Sequence, residues 1–466
     1  MIELLTRNYK FPFPFRSYQE DDITLACTYD RVGLYEDMGL GKTAIATAAV
    51  LCKGLLGQVD HAIIVCPPII LDQWKFWLDG ISELNPGLTS VIYRGTPAKR
   101  KTIDVKSGDF IIMSMQIFKN DIRLITEKFR RNNLVLVIDE AAAIRNPKTK
   151  NFKTVRDFSV GQHLILLTGT PLNSPLHAYG YIKLITPTVY RSFNQFKNLH
   201  IEKLDFWKNP VAFKNMDLLQ ENLMLQSVVR HTSDCMELPE ISFVPVRYRL
   251  TSEHYTLYRK LMEEKLLVLE DKVIDATEAM RLFHQSQQLI MSPQAYSDTE
   301  IVPNGYQIIN NTLDELEGGK LIIFNNYRLT NEKVMEYLES KNLNPVLCYG
   351  GLTPKKRQEV IEAFKYDDTC KVFVASPRSA GIGIDGLQAV CNYALFMELP
   401  ITSNDFSQAI KRVHRSGQKR NCVIKIAIAD HTIQVLLQKR VVDKDDLIQQ
   451  IIPTPQSLRK AFYGEV

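Results

Sequence analysis

The chain has 466 residues, of which 45% are hydrophobic and 23% are charged, as is typical of globular proteins, and it is long enough for two or three domains. The formal net charge of +5, from 57 Lys and Arg against 52 Asp and Glu, permits a nucleic-acid partner but does not by itself indicate one. No apolar run approaches the ~18 residues of a membrane-spanning helix, and residues 1–15 lack the apolar core of a signal peptide. The composition therefore argues against a membrane protein and against export.

The eight cysteines are scattered along the chain, with no Cys-x-x-Cys pair and no histidine at zinc-finger spacing. This arrangement indicates neither a zinc site nor a disulfide framework, and it favours a reducing compartment. We expect a cytoplasmic location, at the nucleoid or in a host cell, if the source is a prokaryote or a phage. A nuclear location is open if the source is a eukaryote.

In the first half of the chain, short β-branched apolar runs alternate with longer amphipathic stretches, which is the pattern of an α/β fold. Because each run is almost continuously apolar, we predict strands of a parallel sheet that is covered on both faces. The predicted strands are 62–66, 110–114, 134–138 and 164–168. A helix is predicted over 70–84, where Trp74 and Trp77 share one face and are interpreted as packing residues.

A second set of apolar runs repeats this pattern and predicts a second parallel sheet, with strands at 321–324, 346–349, 372–375, 393–398 and 423–428. Between the two sets, residues 178–229 and 252–288 have a mostly helical composition. A hinge is predicted at 236–240, because Pro239 interrupts a helix there and an extended apolar run over 242–250 follows. The expected domains are 1–240 and 241–466, with helical insertions at about 176–232 and about 252–295.

A glycine-rich turn at 37–43 reads Asp-Met-Gly-Leu-Gly-Lys-Thr and is followed by an apolar run of helical composition. Gly39 and Gly41 let the backbone approach an oxyanion, Lys42 supplies a positive charge, and the Thr43 hydroxyl is a ligand for Mg²⁺. The pattern predicts a phosphate-binding loop for a nucleoside triphosphate. It is incomplete on its own, since Glu36 stands where the strict phosphate-loop pattern has glycine.

Two acids, Asp139 and Glu140, follow the strand predicted at 134–138. An open α/β sheet binds its ligands at the carboxyl ends of its strands, so these acids are placed for chemistry. Asp139 is predicted to hold Mg²⁺ and Glu140 to orient or deprotonate the attacking water, as phosphoryl transfer requires. The structural alternative is an acidic pair that opens a helix and interacts with its dipole.

The run Thr-Gly-Thr-Pro-Leu-Asn at 168–173 ends the strand predicted at 164–168. Small hydroxyl residues at this place are suited to report hydrolysis of a γ-phosphate to the rest of the protein. A simple turn explains the glycine and the proline equally well.

In the second half, Gln408, Arg412 and Arg415 stand four and three residues apart, which predicts that they share one helical face. Two arginines directed at one phosphate stabilise transition-state charge, whereas basic residues on a helix face are more often only solvated. His414 is interpreted as a structural hydrogen-bonding residue. The glycine-rich run at 376–385 predicts a loop that passes close to a backbone or a phosphate.

Taken in order, these motifs resemble those of superfamily 2 helicase-like ATPases, and specifically those of the Snf2 family of DNA translocases, over nearly the whole chain. The first half contains segments similar to the Q motif at 15–19, motif I at 37–43, motif Ia at 64–68 with 73–74, motif II at 139–140 and motif III at 168–173. The second half contains segments similar to the family at 350–353 with Arg357, at 376–385 for motif V and at 408–418 for motif VI. Finer Snf2 marks stand at 229–232, 238–240, 255–261 and 432–433. Glu36 then becomes a family feature, because acidic residues precede this loop in Snf2 proteins.

The resemblance implies an α/β fold of two tandem RecA-like parallel-sheet lobes with short Snf2-type helical insertions. It also implies ATP as the substrate and Mg²⁺ as the cofactor. The implied catalytic residues are Lys42, Glu140, Arg412 and Arg415. The implied nucleotide-binding residues are Arg16, Gln19, Met38, Gly39, Leu40, Gly41, Lys42, Thr43, Gly383 and Asp385. The implied metal ligands are Thr43 and Asp139, the coupling residues Thr168, Thr170 and Gln408, and the DNA-binding residues Ser114, Gln116 and Arg378.

The implied activity is a DNA-stimulated ATPase that moves along duplex, forked or branched DNA with little sequence preference and remodels junctions or protein–DNA complexes. Its DNA contacts are expected to be mostly to phosphates and therefore sensitive to salt. We expect a monomer that works with a replication, recombination or transcription protein and does not bind a membrane. With no accessory module beside the two lobes, the chain resembles the minimal motors of bacteria, phages and viruses.

Several residues depart from the family pattern. Ala142 stands where Snf2 proteins usually have histidine in motif II, and Ala380 and Asp385 replace glycine and asparagine in motif V. These changes concern the coupling of hydrolysis to movement rather than hydrolysis itself. Two alternatives therefore stay open, namely a strand-separating DNA helicase and a nucleotide-gated DNA-binding adaptor whose hydrolysis is vestigial.

Overall fold

The computed structural model of the chain describes residues 1–129, 133–169, 172, 174–204, 210–270, 276–296, 301–380 and 386–442. The chain divides into two compact units, and the division falls between Glu237 and Leu238, inside the predicted hinge. Each unit is an α/β fold with its own sheet of parallel strands, which confirms the predicted fold class. Among the described residues, none of the helices combines the length and the apolar character that a membrane span needs.

The first unit contains nine strands among its described residues. They are β1 Arg31–Glu36, β2 His61–Cys66, β3 Ser90–Ile92, β4 Phe110–Ser114, β5 Leu134–Asp139, β6 His163–Leu167, β7 Ile201–Leu204, β8 Pro210–Phe213 and β9 Ser227–Arg230. Seven of them form one parallel sheet in the order β3-β4-β2-β5-β6-β1-β9, while β7 and β8 form a separate antiparallel hairpin.

The helices of the first unit are α1 Ile2–Asn8, α2 Ser17–Thr28, α3 Lys42–Leu55, α4 Leu71–Leu84, α5 Pro97–Lys101, α6 Met115–Asn120, α7 Ile122–Lys128, α8 Lys150–Phe158, α9 Ala178–Ile185, α10 Phe193–His200, α11 Met216–Met224 and α12 Thr232–Cys235. Because β2, β4 and β5 are buried along almost their whole length, the sheet is covered on both faces, as their continuous apolar sequences predict.

The second unit contains the strands β10 Ile241–Tyr248, β11 Leu321–Phe324, β12 Val346–Cys348, β13 Val372–Ala375, β14 Tyr393–Phe396 and β15 Cys422–Ala429. They form a parallel sheet in the order β10-β15-β14-β11-β13-β12. The helices are α13 Ser252–Glu270, α14 Ala276–Met291, α15 Tyr306–Glu315, α16 Arg328–Ser340, α17 Pro354–Tyr366, α18 Pro377–Ala380, α19 Ser403–Ile410 and α20 Ile433–Leu437. Two clusters of buried apolar side chains draw on alternate residues of these strands and so fill both faces of the sheet.

Strand β1 lies inside the sheet of the first unit, between β6 and β9, although it was not among the predicted strands. Its sequence Arg-Val-Gly-Leu-Tyr-Glu has a glycine and an acid that interrupt the apolar run. Gly33 is required there, because a Cβ atom would lie 2.4 Å from the Tyr35 ring and 2.5 Å from Ser227 Oγ. The glycine that weakens the strand signal in the sequence is therefore a consequence of close packing.

The prediction that residues 178–229 are mostly helical is only partly right. Helices α9, α10 and α11 lie in this range, but so do the hairpin β7–β8 and the sheet strand β9. The hairpin strand β7 is mostly exposed, so it lacks the buried apolar run on which the strand predictions were based.

Candidate functional site

Four of five neighbouring strands of the first unit, β4, β5, β6 and β1, end at or just before predicted site residues, and these ends lie at one edge of the sheet. The order β4-β2-β5-β6-β1 is parallel throughout, so the carboxyl ends of these strands all face the same way. Ser114 ends β4, Asp139 ends β5, Thr168 follows β6, and Glu36 ends β1 just before the predicted phosphate loop. The topology therefore brings together residues that are far apart in sequence, since Glu36 and Thr168 are separated by 132 positions.

The phosphate loop connects β1 to the first turn of α3. Gly39 and Gly41 have φ angles of 89° and 93°, in the left-handed region that favours glycine, and Gly41 is the N-cap residue of α3. A Cβ atom on Gly41 would lie 2.5 Å from Gln19 Nε2. The carbonyl of Leu40 accepts hydrogen bonds from the Tyr18 hydroxyl at 2.8 Å and from Gln19 Nε2 at 2.9 Å. Helix α2 thus stabilises the conformation of the loop through these two hydrogen bonds.

Lys42 folds back over the loop that carries it. Its Nζ atom donates to the carbonyl oxygens of Glu36 at 2.6 Å and Asp37 at 3.0 Å. The Asp37 carboxylate in turn accepts hydrogen bonds from the backbone N–H of Thr232 at 3.0 Å and from its hydroxyl at 3.2 Å. The loop is therefore tied to the end of the first unit, close to its division from the second.

The predicted adenine-reading segment begins α2. Gln19 is buried, and its Oε1 atom accepts the backbone N–H of Arg16 at 3.0 Å while its Nε2 atom donates to the phosphate loop. The Arg16 guanidinium is exposed and lies 3.7 Å from the Met236 sulfur. In this arrangement Gln19 holds the loop, and base recognition by Gln19 and Arg16 stays a prediction.

Both carboxylate oxygens of Asp139 accept hydrogen bonds. Trp74 Nε1 donates to Oδ2 at 2.8 Å, and the backbone N–H of Glu140 donates to Oδ1 at 2.9 Å. Burial raises the pKa of Asp139, whereas the Trp74 hydrogen bond, the nearby Lys42 charge and the Glu140 amide lower it.

Glu140 adopts a backbone conformation that non-glycine residues rarely adopt. Its φ and ψ angles are both 53°, and it is the N-cap residue of a short 3₁₀ helix at Ala141–Ile144. Such a conformation costs roughly 1–3 kcal/mol and is concentrated at functional sites. The strained residue is the one predicted to act on the attacking water.

The segment after β6 passes against the phosphate loop. Thr168 is buried and its backbone N–H donates to the Leu34 carbonyl at 3.2 Å. A Cβ atom on Gly169 would lie 3.3 Å from the Glu36 carbonyl oxygen and 3.6 Å from the Met38 nitrogen. Thr168 is thus beside the loop, as its predicted coupling role needs, whereas Thr170 lies outside the described residues.

The residues at this edge fit a nucleoside triphosphate with Mg²⁺. The loop offers backbone N–H groups at a helix start together with the Lys42 ammonium, and phosphate oxygens would replace the loop carbonyls as its acceptors. The described residues contain no group of three or more His, Cys, Asp or Glu side chains arranged for a metal ion. Mg²⁺ does not need one, because it keeps several waters and is held by one or two protein ligands plus phosphates. Asp139 and the partly buried Thr43 meet that requirement.

In the second unit, the prediction that Gln408, Arg412 and Arg415 share a helical face is wrong. Helix α19 ends at Ile410, and the chain continues in tight turns, with the Arg412 N–H bonded to the Ala409 carbonyl at 3.1 Å. The turns are held by tertiary contacts. Gln418 Nε2 donates to the carbonyls of Cys391 at 2.9 Å and Val413 at 3.1 Å, and Gly417 has a φ angle of 92°.

The side chains of this segment differ in their exposure. Gln408 and Arg412 are buried and Arg415 is partly buried. The His414 ring lies 2.8 Å from the Pro239 carbonyl oxygen, at the start of the second unit, which confirms the structural role predicted for it. The catalytic roles of the two arginines stay predictions.

The predicted DNA-binding residues lie in both units. Ser114 is buried and its Oγ atom accepts the Ile117 N–H at 3.4 Å, so it caps α6, while Gln116 is exposed on the first turn of that helix. Arg378 is exposed and its Nε atom lies 3.2 Å from Asp405 Oδ2. Gly383 and Asp385 of the predicted motif V lie outside the described residues.

The interpretation of the two tryptophans of α4 as packing residues misses their polar contacts. Trp74 is 2% exposed and donates to Asp139, and Trp77 Nε1 donates to Thr47 Oγ1 at 3.0 Å on the helix that follows the phosphate loop. Both rings are mostly buried, but a buried indole N–H also needs an acceptor. That requirement was the available signal in the sequence.

Comparison with known proteins decides the family. The SNF2-related domain family matches residues 30–299, which is more than half of the chain. The chain belongs to the SNF2-related domain family. The helicase conserved C-terminal domain family matches residues 305–417, so the similarity of this Snf2 chain to helicase-related domains extends into its second unit.

Curated relatives of this Snf2 chain include a chromodomain-helicase-DNA-binding protein 1-like of Danio rerio, 23% identical over 94% of the chain and 44% of the relative. An uncharacterized ATP-dependent helicase of Mycoplasma genitalium is 24% identical over 90% of the chain and 40% of the relative. One of Bacillus subtilis is 23% identical over 90% of the chain and 76% of the relative. The chain spans about half the length, or less, of the first two. Among solved structures, the chain is similar to the Sulfolobus solfataricus SWI2/SNF2 ATPase core in complex with dsDNA, with 22% identity over 98% of each chain. The TM-score of this match is 0.45, which is too low to support an argument about function.

Proposed function

We propose that the chain is an ATPase whose turnover rises on binding DNA and that couples hydrolysis to movement along duplex or branched DNA. The observation that carries this proposal is the edge of the first sheet, where the phosphate loop, the Asp139–Glu140 pair and Thr168 meet. Membership of the SNF2-related family supports it, since relatives in that family bear the names of ATP-dependent helicases.

In this mechanism the loop at 37–43 binds the triphosphate. Gly39 and Gly41 have no side chains and adopt left-handed conformations, so phosphate oxygens can approach the backbone N–H groups of the loop closely. Lys42 exchanges its two carbonyl acceptors for phosphate oxygens and brings one positive charge to them. Binding therefore also releases the carbonyls of Glu36 and Asp37, next to the segment that Asp37 ties to Thr232.

The acids then divide the chemical work. Asp139, held at both oxygens, and the Thr43 hydroxyl would hold Mg²⁺, which when bound supplies positive charge at the phosphoryl group being transferred. Glu140 orients the attacking water and accepts its proton. Its left-handed backbone conformation is fixed by the 3₁₀ helix that follows. The Glu140 side chain therefore leaves the backbone in a different direction from a residue in a regular helix.

The coupling of hydrolysis to movement is proposed to run through the segment after β6. A Cβ atom added to Gly169 would already be in contact with the backbone at Glu36 and Met38, so the segment that begins at Thr168 has little room beside the loop and is expected to move with it. Arg412 and Arg415 are proposed to stabilise charge on the transferred phosphoryl group, and Gln408 to take part in coupling. These three roles rest on the similarity to Snf2 motif VI.

The nucleic-acid contacts are proposed to be made to phosphates by Ser114, Gln116 and Arg378. Gln116 and Arg378 are exposed, and the Arg378–Asp405 pair is at the surface, so a DNA phosphate can replace the carboxylate as a partner of the guanidinium. An Arg378→Ala variant is expected to weaken DNA binding on all sequences and to lower the salt dependence of binding.

The test is the rate of phosphate release from ATP with single-stranded, duplex, forked and four-way-junction DNA and with RNA, each at several salt concentrations. We expect many-fold stimulation by DNA that weakens as salt rises, and loss of turnover in Lys42→Ala, Glu140→Gln and Arg415→Ala. Turnover that no nucleic acid changes would contradict the proposal. Negligible turnover with ATP-dependent DNA binding would instead favour the adaptor alternative.

A strand-separating helicase is the second candidate, because relatives in Mycoplasma genitalium and Bacillus subtilis are named as helicases. It predicts that a labelled strand is displaced from a tailed duplex in the presence of ATP. A translocase without strand separation would instead displace a bound protein or a third strand and leave the duplex paired.

A further inference from the structure

Helix α4 places one rigid donor against the carboxylate that is proposed to hold the metal. Trp74 is 2% exposed, and its Nε1–H group donates to Asp139 Oδ2 at 2.8 Å. Helix α4 packs on β3 and β4 of the sheet, so the indole is carried by an element that is itself fixed. The donor comes from a residue that is 65 positions away in sequence.

The two hydrogen bonds to Asp139 together define its orientation. Oδ2 accepts from Trp74, and Oδ1 accepts from the Glu140 backbone. Each oxygen of an ionised carboxylate has about two lone-pair sites, so one site on each oxygen stays directed away from these donors. An indole N–H group donates only and cannot ligate a cation, so this hydrogen bond acts on the metal through the carboxylate.

We propose that Trp74 is a positioning residue that holds the Asp139 carboxylate in the orientation needed to bind a divalent cation at the nucleotide site. The inference rests on the proposed function, since it concerns the same metal. Hydrogen bonds to metal-binding carboxylates commonly change metal affinity 10- to 100-fold when they are removed. A backbone donor on one oxygen and a buried ring donor on the other leave the carboxylate little freedom to rotate.

The same helix supplies a matched control. Trp77 lies one turn further along α4, and its Nε1–H group donates to Thr47 Oγ1 at 3.0 Å rather than to Asp139. Replacement of either tryptophan by phenylalanine removes one indole N–H group and keeps an aromatic ring at that position. The two variants therefore differ in which acceptor loses its donor.

The first measurement is the binding of fluorescently labelled ADP as Mg²⁺ is varied. In Trp74→Phe we expect the half-saturating Mg²⁺ concentration to rise roughly 10-fold while ADP binding without Mg²⁺ stays as in the wild type. In Trp77→Phe we expect the Mg²⁺ requirement to match that of the wild type. An unchanged Mg²⁺ requirement in Trp74→Phe, or an equal rise in both variants, would overturn the proposal.

The second measurement is made on the wild-type protein, and the variants serve only to assign its signals. The chain has three tryptophans, so ¹⁵N-tryptophan labelling gives a simple set of indole N–H signals, which the two variants assign. We expect the Trp74 signal of the wild-type protein to move when Mg²⁺ is added to the ADP-bound form, by more than the Trp77 signal moves. A Trp74 signal that responds to ADP but not to Mg²⁺ would overturn the proposal. A wild-type protein that binds no ADP would contradict the proposed function, and the inference with it.

Discussion

A buried glutamate stands at the carboxyl edge of the sheet in each unit, and the two have opposite surroundings. Glu36 ends β1 and Glu398 stands just after β14, and both side chains are 0% exposed. Glu398 accepts hydrogen bonds from the N–H groups of Asn326 at 2.8 Å and Tyr327 at 3.2 Å and from the Thr330 hydroxyl at 2.7 Å. Neither carboxylate oxygen of Glu36 has a hydrogen-bond partner among the described residues.

The two carboxyls respond to burial in the same direction. Burial raises the pKa of Glu36 to about 8, with the Lys42 and Arg230 charges acting against it and the Asp22 charge adding to it. Burial also raises the pKa of Glu398 to about 7, although its three hydrogen bonds oppose the rise. Glu398 therefore supports the start of α16, whereas Glu36 is an unsatisfied group kept beside the phosphate loop. The comparison indicates that Glu398 stabilises the second unit, whereas the first unit keeps Glu36 at a cost in stability, as is usual for a functional site.

The largest expected effect is functional and belongs to the first edge. Lys42→Ala removes the charge that the loop brings to the phosphates, so ATP turnover is expected to fall by at least ~100-fold with little change in the unfolding midpoint. Phosphate release and thermal unfolding of the same preparation measure both quantities. Lys333→Ala, which removes a partly exposed lysine on α16, is the control and should keep its turnover. Equal losses in the two variants would contradict the functional difference between the edges.

The next effect is on stability and belongs to the second edge. Glu398→Ala leaves the N–H groups of Asn326 and Tyr327 and the Thr330 hydroxyl without their acceptor, so the second unit is expected to lose about 3–5 kcal/mol of its free energy of unfolding. Denaturant titration followed by probes in each unit measures this loss. A shift confined to the first unit, or no shift, would show that Glu398 does not hold α16.

Glu36→Gln tests the unsatisfied carboxyl through pH. On folding, the pKa of the Glu36 carboxyl is raised from 4.5 to about 8. Below about pH 4.5 the carboxyl is protonated in both states and costs no stability. As pH rises from there to about 8, only the unfolded state ionises readily, so the folded state is increasingly destabilised. The neutral glutamine avoids this loss, so between about pH 6 and about pH 8 the variant should gain about 2–3 kcal/mol relative to the wild type. Unfolding curves at both pH values check this. Parallel pH profiles for the two proteins would contradict the raised pKa.

The smallest effect is expected at an exposed acid of α16. Glu332 pairs with Arg328 at 2.7 Å on the surface of the helix whose start Glu398 supports. The unfolding midpoint of Glu332→Gln should be indistinguishable from that of the wild type, because an exposed ion pair is screened by water and salt. A loss comparable with that of Glu398→Ala would show that α16 is sensitive to any change of charge.

The sequence predicts the fold well where strands are continuously apolar. The predicted ranges 110–114, 321–324 and 372–375 coincide with β4, β11 and β13, because strands buried on both faces are almost continuously apolar in sequence. The sequence-based prediction misses β1, because packing against Tyr35 and Ser227 requires Gly33 there. It also wrongly extends a helix to Arg412, because the hydrogen bonds of Gln418 hold this segment in turns. Such tertiary contacts override local periodicity.

The candidate site is predictable to the extent that its motifs are local. The phosphate loop and the Asp139–Glu140 pair are short runs with a chemical meaning, and the sheet brings them to one edge. The contact of Trp74 with Asp139 is not local, so the spacing of the two tryptophans indicates only packing. The strain at Glu140 is likewise visible only in the backbone angles.

The central claim is that DNA-stimulated ATP hydrolysis takes place at the edge of the first sheet. Its most direct test is phosphate release from ATP with and without duplex DNA, for the wild type and Glu140→Gln, with ATP binding measured on the same samples. We expect many-fold stimulation in the wild type, and in Glu140→Gln we expect retained ATP binding with turnover reduced by at least ~100-fold. Turnover in Glu140→Gln equal to that of the wild type, or a wild-type rate that DNA does not change, would contradict it.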